Sequence, residues 1–172
     1  MLEKLYKERC EKITDINQHL PVLRDLASKV EFVTEFGVRE GNSTVAFASA
    51  KPRALVSYDI HPMPDDLETL LSQLPYFKFI KANVLHVKIH PTDLLFIDTY
   101  HSYEQLTMEL DIHSLWVNRF IVLHDTEAFG IVGEDGKKPG LQKAVSQLID
   151  KGEWFRSLEL KNNNGLTVLA RR

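Results

Sequence analysis

The chain has 172 residues, 44% hydrophobic and 26% charged, which is typical of one globular domain with a single core. Its 21 basic and 24 acidic residues give a net charge of −3 without a basic block, which excludes a nucleic-acid partner. The single cysteine, Cys10, excludes an internal disulfide and a cysteine-based zinc cluster, and no run approaches the ~20 apolar residues of a membrane span. With a charged N-terminus that lacks a signal-peptide core, these features predict a cytoplasmic protein without a membrane partner.

The first thirty residues are predicted to form two helices. Apolar residues recur at helical spacing over 2–17, and a second short helix is predicted over 20–29, where Pro21 suits the first turn. We therefore divide the single domain, 1–172, into N-terminal helices over residues 1–30 and a core over 31–172.

The core alternates short apolar runs with helical stretches. The runs are nearly continuous in apolar or β-branched residues, as in strands that are covered by helices on both faces. The predicted strands are 31–36, 54–59, 77–81, 93–98 and 119–124, and the predicted helices are 43–50, 64–73, 102–115 and 140–151. This alternation predicts βαβ units and a parallel sheet, although residues 83–92 leave little room for a crossover helix.

The end of the chain has a different pattern. Residues 154–160 and 166–170 are predicted strands, and the Asn-Asn-Asn-Gly sequence at 162–165 is typical of a hairpin turn between them. The predicted fold class is therefore α/β, a three-layer Rossmann-like sheet that is mostly parallel and ends in a C-terminal antiparallel hairpin.

The first two strands end in residues suited to a nucleoside ligand, because open α/β sheets bind ligands beyond the carboxyl ends of their strands. Gly37 and Gly41 allow a tight turn and a close approach of a ligand to the backbone, and Ser43 or Thr44 can cap the following helix. Asp59 ends the second strand, where a carboxylate can accept both hydroxyls of a ribose. The alternatives are a capped glycine turn without a ligand and an ordinary solvated aspartate.

Two more carboxylates are predicted to meet at the same edge of the sheet. Asp98 ends the fourth strand, and His124 and Asp125 end the fifth, which should be its neighbour. A divalent cation would account for this convergence, since Mg²⁺ prefers oxygen ligands and a mixed histidine and carboxylate set suits Mn²⁺ or Fe²⁺. The alternative is that the two aspartates cap helices or loops.

The remaining histidines show no comparable placement. We predict that they are structural or merely exposed, and they are His19, His61, His86, His90 and His113.

Several motifs of the core carry a resemblance to a known family. They are ExGxxxGxST at 35–44, Asp59, FIDTYHSYEQL at 96–106, IVLHDT at 121–126, PGLQKAVSQLIDK at 139–151 and GLTVLARR at 165–172. Together they resemble class I S-adenosylmethionine (SAM) dependent methyltransferases. Within that superfamily the chain is most similar to the small group that includes macrolide-sugar O-methyltransferases and cephalosporin hydroxylase-like proteins. The resemblance covers the chain from about residue 31 to its end.

The resemblance implies a seven-stranded sheet with SAM bound over the first two strands. The implied cofactor-binding residues are Glu35, Gly37, Gly41, Ser43, Thr44, Asp59, Asn83 and Asp98. In this arrangement Glu35 and Gly37 lie beside the methionine part of SAM. Asp59 holds the ribose, and Asn83 lies near adenine.

The resemblance also implies roles at the fourth and fifth strands. Asp98 and Asp125 match metal-ligand positions of the metal-dependent relatives. In those relatives a second acidic ligand often lies next to the position of Asp125, and here that neighbour is His124 or Thr126. His101 matches the relatives' general base, although it could instead cap the helix that begins near Ser102. A departure from the family pattern is Thr99, where a glycine is usual.

The expected function is therefore SAM-dependent methylation of a hydroxyl on a small-molecule acceptor, with Mg²⁺ or Mn²⁺ as an optional second cofactor. A non-catalytic SAM- or nucleotide-binding module is the alternative from another class. An NAD-dependent oxidoreductase fits less well, because Gly37 and Gly41 give GxxxG and not the GxGxxG spacing. The sequence leaves open whether the chain forms a homo-oligomer and whether the glycine-rich loop 127–138 is a lid or a connector.

Overall fold

The computed structural model describes residues 1–172 as one seven-stranded sheet flanked by helices. The strands are β1 (Phe32–Phe36), β2 (Ala54–Asp59), β3 (Phe77–Lys81), β4 (Thr92–Ile97), β5 (Val117–His124), β6 (Trp154–Leu160) and β7 (Leu166–Arg171). The helices are α1 (Leu2–Glu11), α2 (Leu20–Ser28), α3 (Asn42–Ala50), α4 (Asp65–Leu71), α5 (Tyr103–His113) and α6 (Leu141–Asp150). No helix combines the length and the apolar character that crossing a lipid bilayer requires.

The strand order is β3-β2-β1-β4-β5-β7-β6. The first five strands pair in parallel, and β7 and β6 pair antiparallel to their neighbours, as the sequence predicted. The order reverses between β1 and β4, which makes this the switch point where open α/β sheets bind ligands. The carboxyl ends of β1, β2, β4 and β5 consequently share one edge of the sheet.

Each central strand contributes side chains to two core layers. Along β4, Leu94 and Phe96 belong to the layer beneath α1, α2 and α3, whereas Leu95 and Ile97 belong to the layer beneath α5 and α6. All four side chains are buried. Because both faces are covered, the strand needs apolar residues at successive positions, and this explains the continuous apolar runs.

The connection between β3 and β4 is short, as predicted. It contains only a 3₁₀ turn, Val84–His86, whose preceding residue Asn83 accepts a hydrogen bond from the Leu85 N–H through its side chain. His113 on α5 is fully buried, and its Nε2 lies 2.9 Å from the Val84 carbonyl oxygen. His113 therefore has the structural role that was expected, and it fixes the connection against α5.

The first helix is shorter than predicted, because α1 ends at Glu11 and the expected helix over 2–17 is wrong beyond that point. Thr14 and Asn17 form a local polar turn, in which Thr14 Oγ1 accepts a hydrogen bond from the Asn17 N–H at 3.0 Å. Asn163, in the β6–β7 turn, donates to the Thr14 carbonyl at 2.7 Å. Side chains that bond to nearby backbone groups compete with helix formation, so the apolar spacing overestimated the helix.

Candidate active site

A cleft of about 690 Å³ opens at the carboxyl ends of β1, β2 and β4. This volume lies within the range of sites that bind small molecules. Four of the predicted cofactor-binding residues line the cleft: Gly37, Asp59, Asn83 and Asp98. The predicted base, His101, lines it as well.

Asp59 fixes the turn after β1 and faces the cleft. Its Oδ2 accepts hydrogen bonds from the backbone N–H groups of Val38 and Arg39 at 2.7 and 3.0 Å, and its Oδ1 accepts one from His61 at 2.8 Å. An ionised carboxylate offers about four acceptor sites. One acceptor site of Asp59 therefore remains unused, and the predicted binding of both ribose hydroxyls stays a prediction.

The glycines allow the turn to approach other parts of the protein. Gly37 has φ +86°, and a Cβ there would collide with the backbone carbonyl oxygen of Asp98. Gly41 has φ +74°, and a Cβ there would collide with the side chain of Leu67. Gly37 thus allows the turn to approach the end of β4, and Gly41 allows it to approach α4. Only Gly37 lines the cleft.

Glu35 lies behind the turn and does not line the cleft. It is fully buried and accepts hydrogen bonds from the hydroxyls of Ser43 at 2.6 Å and Ser57 at 2.5 Å. Burial raises its pKa to about 7, against the effect of these hydroxyl donors. Glu35 therefore joins β1, β2 and α3 behind the cleft.

The predicted helix cap by Ser43 or Thr44 is wrong. Helix α3 begins at Asn42, the residue before it is Gly41, and no side chain caps its N-terminus. Ser43 donates to Glu35 instead, and Thr44 Oγ1 is buried without a hydrogen-bond partner. Gly41, Ser43 and Thr44 lie behind the turn, outside the lining of the cleft.

Four charged side chains meet at the ends of β4 and β5, and we call them the Asp–His cluster: Asp98, His101, His124 and Asp125. His101 Nε2 lies 2.9 Å from Asp125 Oδ2 and 3.2 Å from Asp98 Oδ1. His124 Nδ1 lies 3.3 Å from Asp98 Oδ1 and 3.4 Å from Asp125 Oδ1. The two carboxylates thus face each other across neighbouring strands, as the sequence predicted, and an imidazole bridges them on either side.

His101 carries a positive charge in this arrangement. Its Nδ1 lies 2.9 Å from Glu134 Oε2 while its Nε2 faces Asp125, so both ring nitrogens must donate protons. Burial alone would lower the pKa of His101, but the hydrogen bonds to Asp125 and Asp98 outweigh it and raise the pKa to about 10. A protonated His101 cannot act as a base, so that role requires a change in its surroundings.

The pKa values of the other three residues of the Asp–His cluster are shifted for the same reason. Burial lowers the pKa of His124, but the neighbouring carboxylates of Asp125 and Asp98 raise it to about 10. Burial would raise the pKa of Asp98, yet His101 and His124 lower it to about 2, and they also hold the pKa of Asp125 low. Two positive imidazoles thus balance two carboxylates in a largely buried site.

Asp125 adopts an uncommon backbone conformation. Its φ is +58°, in the left-handed region that aspartate tolerates better than most residues. This conformation turns the chain at the end of β5 and places the carboxylate beside Asp98 and His101. Such residues are concentrated at functional sites, where the surrounding structure maintains them.

The capping alternative for His101 is wrong. Helix α5 begins at Tyr103, and its N-cap is Ser102, whose hydroxyl accepts a hydrogen bond from the Gln105 N–H at 3.1 Å. The His101 ring instead stacks on Phe129 with the ring centroids 4.9 Å apart. Its position is therefore set by the cluster and by the loop after β5.

The loop of residues 127–138 contacts both the ring and the backbone of His101. Phe129 supplies the stacking ring, Glu134 supplies a carboxylate, and the Glu134 N–H donates to the His101 carbonyl oxygen at 2.9 Å. Glu134 also lines the cleft. The composition of this loop gave no indication of which residue would reach the site.

His19 is the site neighbour that the sequence interpretation missed. The prediction placed it away from the other polar groups, but it is fully buried and its ring centroid lies 5.4 Å from that of His124. Neither of its ring nitrogens has a hydrogen-bond partner. Burial, followed by the neighbouring His124, lowers its pKa to about 4, so a neutral His19 packs behind the Asp–His cluster.

A second buried carboxyl supports the entrance to α5. Glu109 accepts hydrogen bonds from Thr99 Oγ1 at 2.7 Å and from Gln105 Nε2 at 2.8 Å, and burial raises its pKa to about 7. Thr99, which replaces the usual glycine of the family pattern, therefore connects the end of β4 to α5.

The Asp–His cluster has suitable donors for a divalent cation. Ligand atoms of Asp98, His101 and Asp125 all lie within 4.8 Å of one another, and Asp125 Oδ1 is buried without a hydrogen-bond partner. His124, the histidine that the sequence put in the metal set, lies against both carboxylates but outside this closest group. Mixed carboxylate and imidazole donors suit Mn²⁺ or Fe²⁺, and the carboxylates alone suit Mg²⁺.

Comparison with family models gives no match, and comparison with curated proteins gives none either. Solved structures are similar. A Staphylococcus aureus protein that carries the name caffeoyl-CoA O-methyltransferase superposes with a TM-score of 0.71 and 16% identity, over 99% of this chain and 90% of that one. The N-methyltransferase NodS of Bradyrhizobium japonicum, in complex with S-adenosyl-L-homocysteine, gives 0.70 and 11%, over 99% and 98%.

A third structure, the S-adenosylhomocysteine-bound methyltransferase PaMTH1 of Podospora anserina, gives a TM-score of 0.67 and 15% identity, over 99% of this chain and 87% of that one. At these identities the likeness concerns the fold. The chain therefore has the class I fold of SAM-dependent methyltransferases, as its sequence motifs implied.

Proposed function

We propose that the chain is a SAM-dependent methyltransferase that methylates a hydroxyl of a small molecule with the help of a divalent cation. One observation carries the proposal. In a methyltransferase fold, a single cleft has Asp59 at one end and Asp98 and His101 of the Asp–His cluster at the other. A nucleoside cofactor and a proton-bearing acceptor can therefore meet in one cleft.

The first end of the cleft suits the nucleoside of SAM. Asp59 retains a free acceptor site for a ribose hydroxyl, and Ile60 and Asn83 line the adjoining wall with one apolar and one amide side chain. When bound, SAM supplies a methyl group on a positively charged sulfur. Asp98, whose pKa is held at about 2, faces the same cleft and adds to its acidic lining.

The Asp–His cluster suits the acceptor. Asp98 and Asp125 would hold a divalent cation, with His124 completing the set, and the cation would lower the pKa of a bound hydroxyl. Its charge would also neutralise the two carboxylates that raise the pKa of His101. A neutral His101 in the cleft could then accept the hydroxyl proton.

Catalysis in this proposal comes mainly from positioning. Gly37 and Asp59 fix the cofactor end through backbone contacts, and Phe129 and Glu134 fix His101. A methyl group transfers in line, so a common cleft that aligns the two partners supplies most of the rate enhancement. The release of the hydroxyl proton is the only step that needs a titratable side chain.

The experiment combines ligand binding with a methyl-transfer screen. SAM and S-adenosylhomocysteine should raise the melting temperature and NAD should not, because saturating ligand at a hundred times its Kd stabilises the folded state by about 2.7 kcal/mol. Radiolabelled SAM should then transfer its methyl group to a hydroxyl-bearing small molecule, and EDTA should abolish the transfer until Mn²⁺ or Mg²⁺ is restored.

The outcomes separate the alternatives. Stabilisation by SAM without transfer to any acceptor would favour a binding module. Stabilisation by NAD alone would favour an oxidoreductase, and full transfer in EDTA would remove the cation from the proposal. Asp125→Asn is the matched variant, since it retains the shape of the cluster but removes one charge.

A further inference from the structure

Arg39 is the only lysine or arginine that lines the cleft. Four carboxylates line the same cleft: Glu40, Asp59, Asp98 and Glu134. A ligand with a negative group therefore has one lysine or arginine side chain in this cleft with which to pair.

The guanidinium of Arg39 has unused donors. Its Nη2 makes both of its hydrogen bonds, to Asp15 Oδ1 at 3.0 Å and to Asp15 Oδ2 at 2.8 Å. A guanidinium carries five N–H donors, so the two on Nη1 and the one on Nε have no partner. These donors lie in the plane that recognises a carboxylate with two parallel bonds.

The place of Arg39 is fixed at both ends of its side chain. Its backbone has φ +49° and donates an N–H to Asp59 Oδ2 at 3.0 Å, while Asp15 of the N-terminal segment holds its guanidinium. Arg39 also lies within two residues of Gly37, beside the end of β4. The backbone of Arg39 is therefore held by Asp59 and its guanidinium by Asp15, beside the cleft that Arg39 lines.

We propose that Arg39 binds the carboxylate of the amino-acid part of the cofactor, and that Asp15 is a positioning residue for Arg39. This inference rests on the proposed function. SAM carries a cationic sulfur and an ammonium group that suit the acidic lining, but its carboxylate would be repelled there without Arg39. Arginine matches a carboxylate better than lysine does, because its planar donors bind both oxygens.

The test compares SAM with decarboxylated SAM, which retains the sulfonium and the amine but lacks the carboxylate. Isothermal titration calorimetry measures both ligands on the wild-type chain and on Arg39→Met, which retains most of the aliphatic stem. We expect the wild type to bind SAM about tenfold more tightly than decarboxylated SAM, and Arg39→Met to abolish that preference by weakening SAM alone.

The control is Arg53→Met. Arg53 is equally exposed, with 72% of its side chain accessible against 70% for Arg39, and it pairs with Glu31 at the opposite edge of the sheet. Arg53→Met should leave both affinities unchanged. This control removes one charge from the chain, as Arg39→Met does, so a general electrostatic effect would appear in both variants.

Each contrary result has a distinct meaning. Equal weakening of SAM and decarboxylated SAM in Arg39→Met would overturn the inference, because Arg39 would then only tie the N-terminal segment to the turn. Unchanged affinity for SAM in Arg39→Met would overturn it as well. If the wild-type chain bound neither ligand nor S-adenosylhomocysteine, the proposed function itself would fail, and the assignment of Arg39 with it.

Discussion

The carboxylates near the two ends of the cleft have different hydrogen-bond donors. At the end that we propose for the cofactor, Asp59 in the cleft and Glu35 behind it are held by neutral donors, which are backbone N–H groups for Asp59 and the hydroxyls of Ser43 and Ser57 for Glu35. At the end that we propose for the acceptor, Asp98 and Asp125 are held by imidazoles.

The difference appears in the charge of the buried groups. Neutral donors do not offset the burial of Glu35, and its pKa rises to about 7, whereas the imidazoles lower the pKa of Asp98 to about 2. When two environments shift the pKa values of two carboxyl groups in opposite directions, one fold can hold one as an acid and the other as a carboxylate. Near neutral pH, Glu35 is therefore the carboxyl whose protonation changes with pH, whereas the Asp–His cluster keeps its charges unless its surroundings change.

The largest expected effect lies at the acceptor end. With an acceptor from the methyl-transfer screen, His101→Ala should lower kcat by about 10²–10⁴-fold, because a positioned base contributes about that much. Steady-state kinetics measure it, with SAM affinity by calorimetry as the check on the cofactor end. His90→Ala, an exposed histidine before β4, is the control. Near-normal kcat in His101→Ala would contradict the assignment of the base.

The next effect lies at the cofactor end and depends on pH. The pKa of Glu35 is about 7 in the folded state and near 4.5 in the unfolded state, so the folded chain binds this proton more tightly. The contribution to stability is complete below pH 4.5 and is lost as the pH rises to 7, on the order of 3 kcal/mol.

Glu35→Gln should remove much of that loss. Urea unfolding at pH 4.5 and 7 measures it, and Glu31→Gln, at an exposed position, is the control. Glu109 has a similarly raised pKa and should retain part of the pH dependence in the variant. An unchanged pH dependence in Glu35→Gln would mean that Glu35 is ionised in the folded state.

A smaller effect is expected at Asp59. Asp59→Ala should lower the affinity for SAM by about 10–100-fold, the value of hydrogen bonds to a charged group. Asp93 provides a matched control, because its Oδ2 also accepts two backbone N–H groups, from Glu31 and Phe32, at the other edge of the sheet. Asp93→Ala should cost stability without affecting SAM. Equal losses of SAM affinity in both variants would place the ribose elsewhere.

The smallest effect is expected at Ser102, where a loss of stability can be distinguished from a loss of kcat. Ser102→Ala should lower the free energy of unfolding by about 1 kcal/mol through loss of the α5 cap, while kcat changes little. Chemical denaturation and kinetics on the same variant measure both. A kcat as low as that of His101→Ala would show that the cap, and not the contacts of His101 with Phe129 and Glu134, holds the base in place.

Much of the fold followed from the sequence because the strands have a strong local pattern. Both faces of β4 and β5 are covered, so their apolar runs are continuous, and the positions of Asp98 and Asp125 followed because parallel strands end at one edge. The end of α1 was wrong because Ile13 and Ile16 continue the helical spacing while Thr14 and Asn17 form a competing turn.

The missed site neighbours come from outside the strand ends. His19 reaches His124 from the N-terminal segment, and Glu134 reaches His101 from a loop without apolar periodicity. Their contacts depend on the tertiary arrangement and leave no local signal. The burial of His19 could have been suspected only from its position just before the apolar residues of α2.

The backbone of Asp125 has a consequence for protein engineering. A residue at φ +58° forgoes folding stability that glycine would partly recover at that position, since glycine has no side chain to oppose the conformation. Asp125→Gly would relieve the backbone, but it would also take one carboxylate from the imidazoles of His101 and His124, and breaking a buried ion pair costs more than that relief returns. A library of this chain that is selected for heat resistance should therefore retain Asp125 in spite of its backbone conformation.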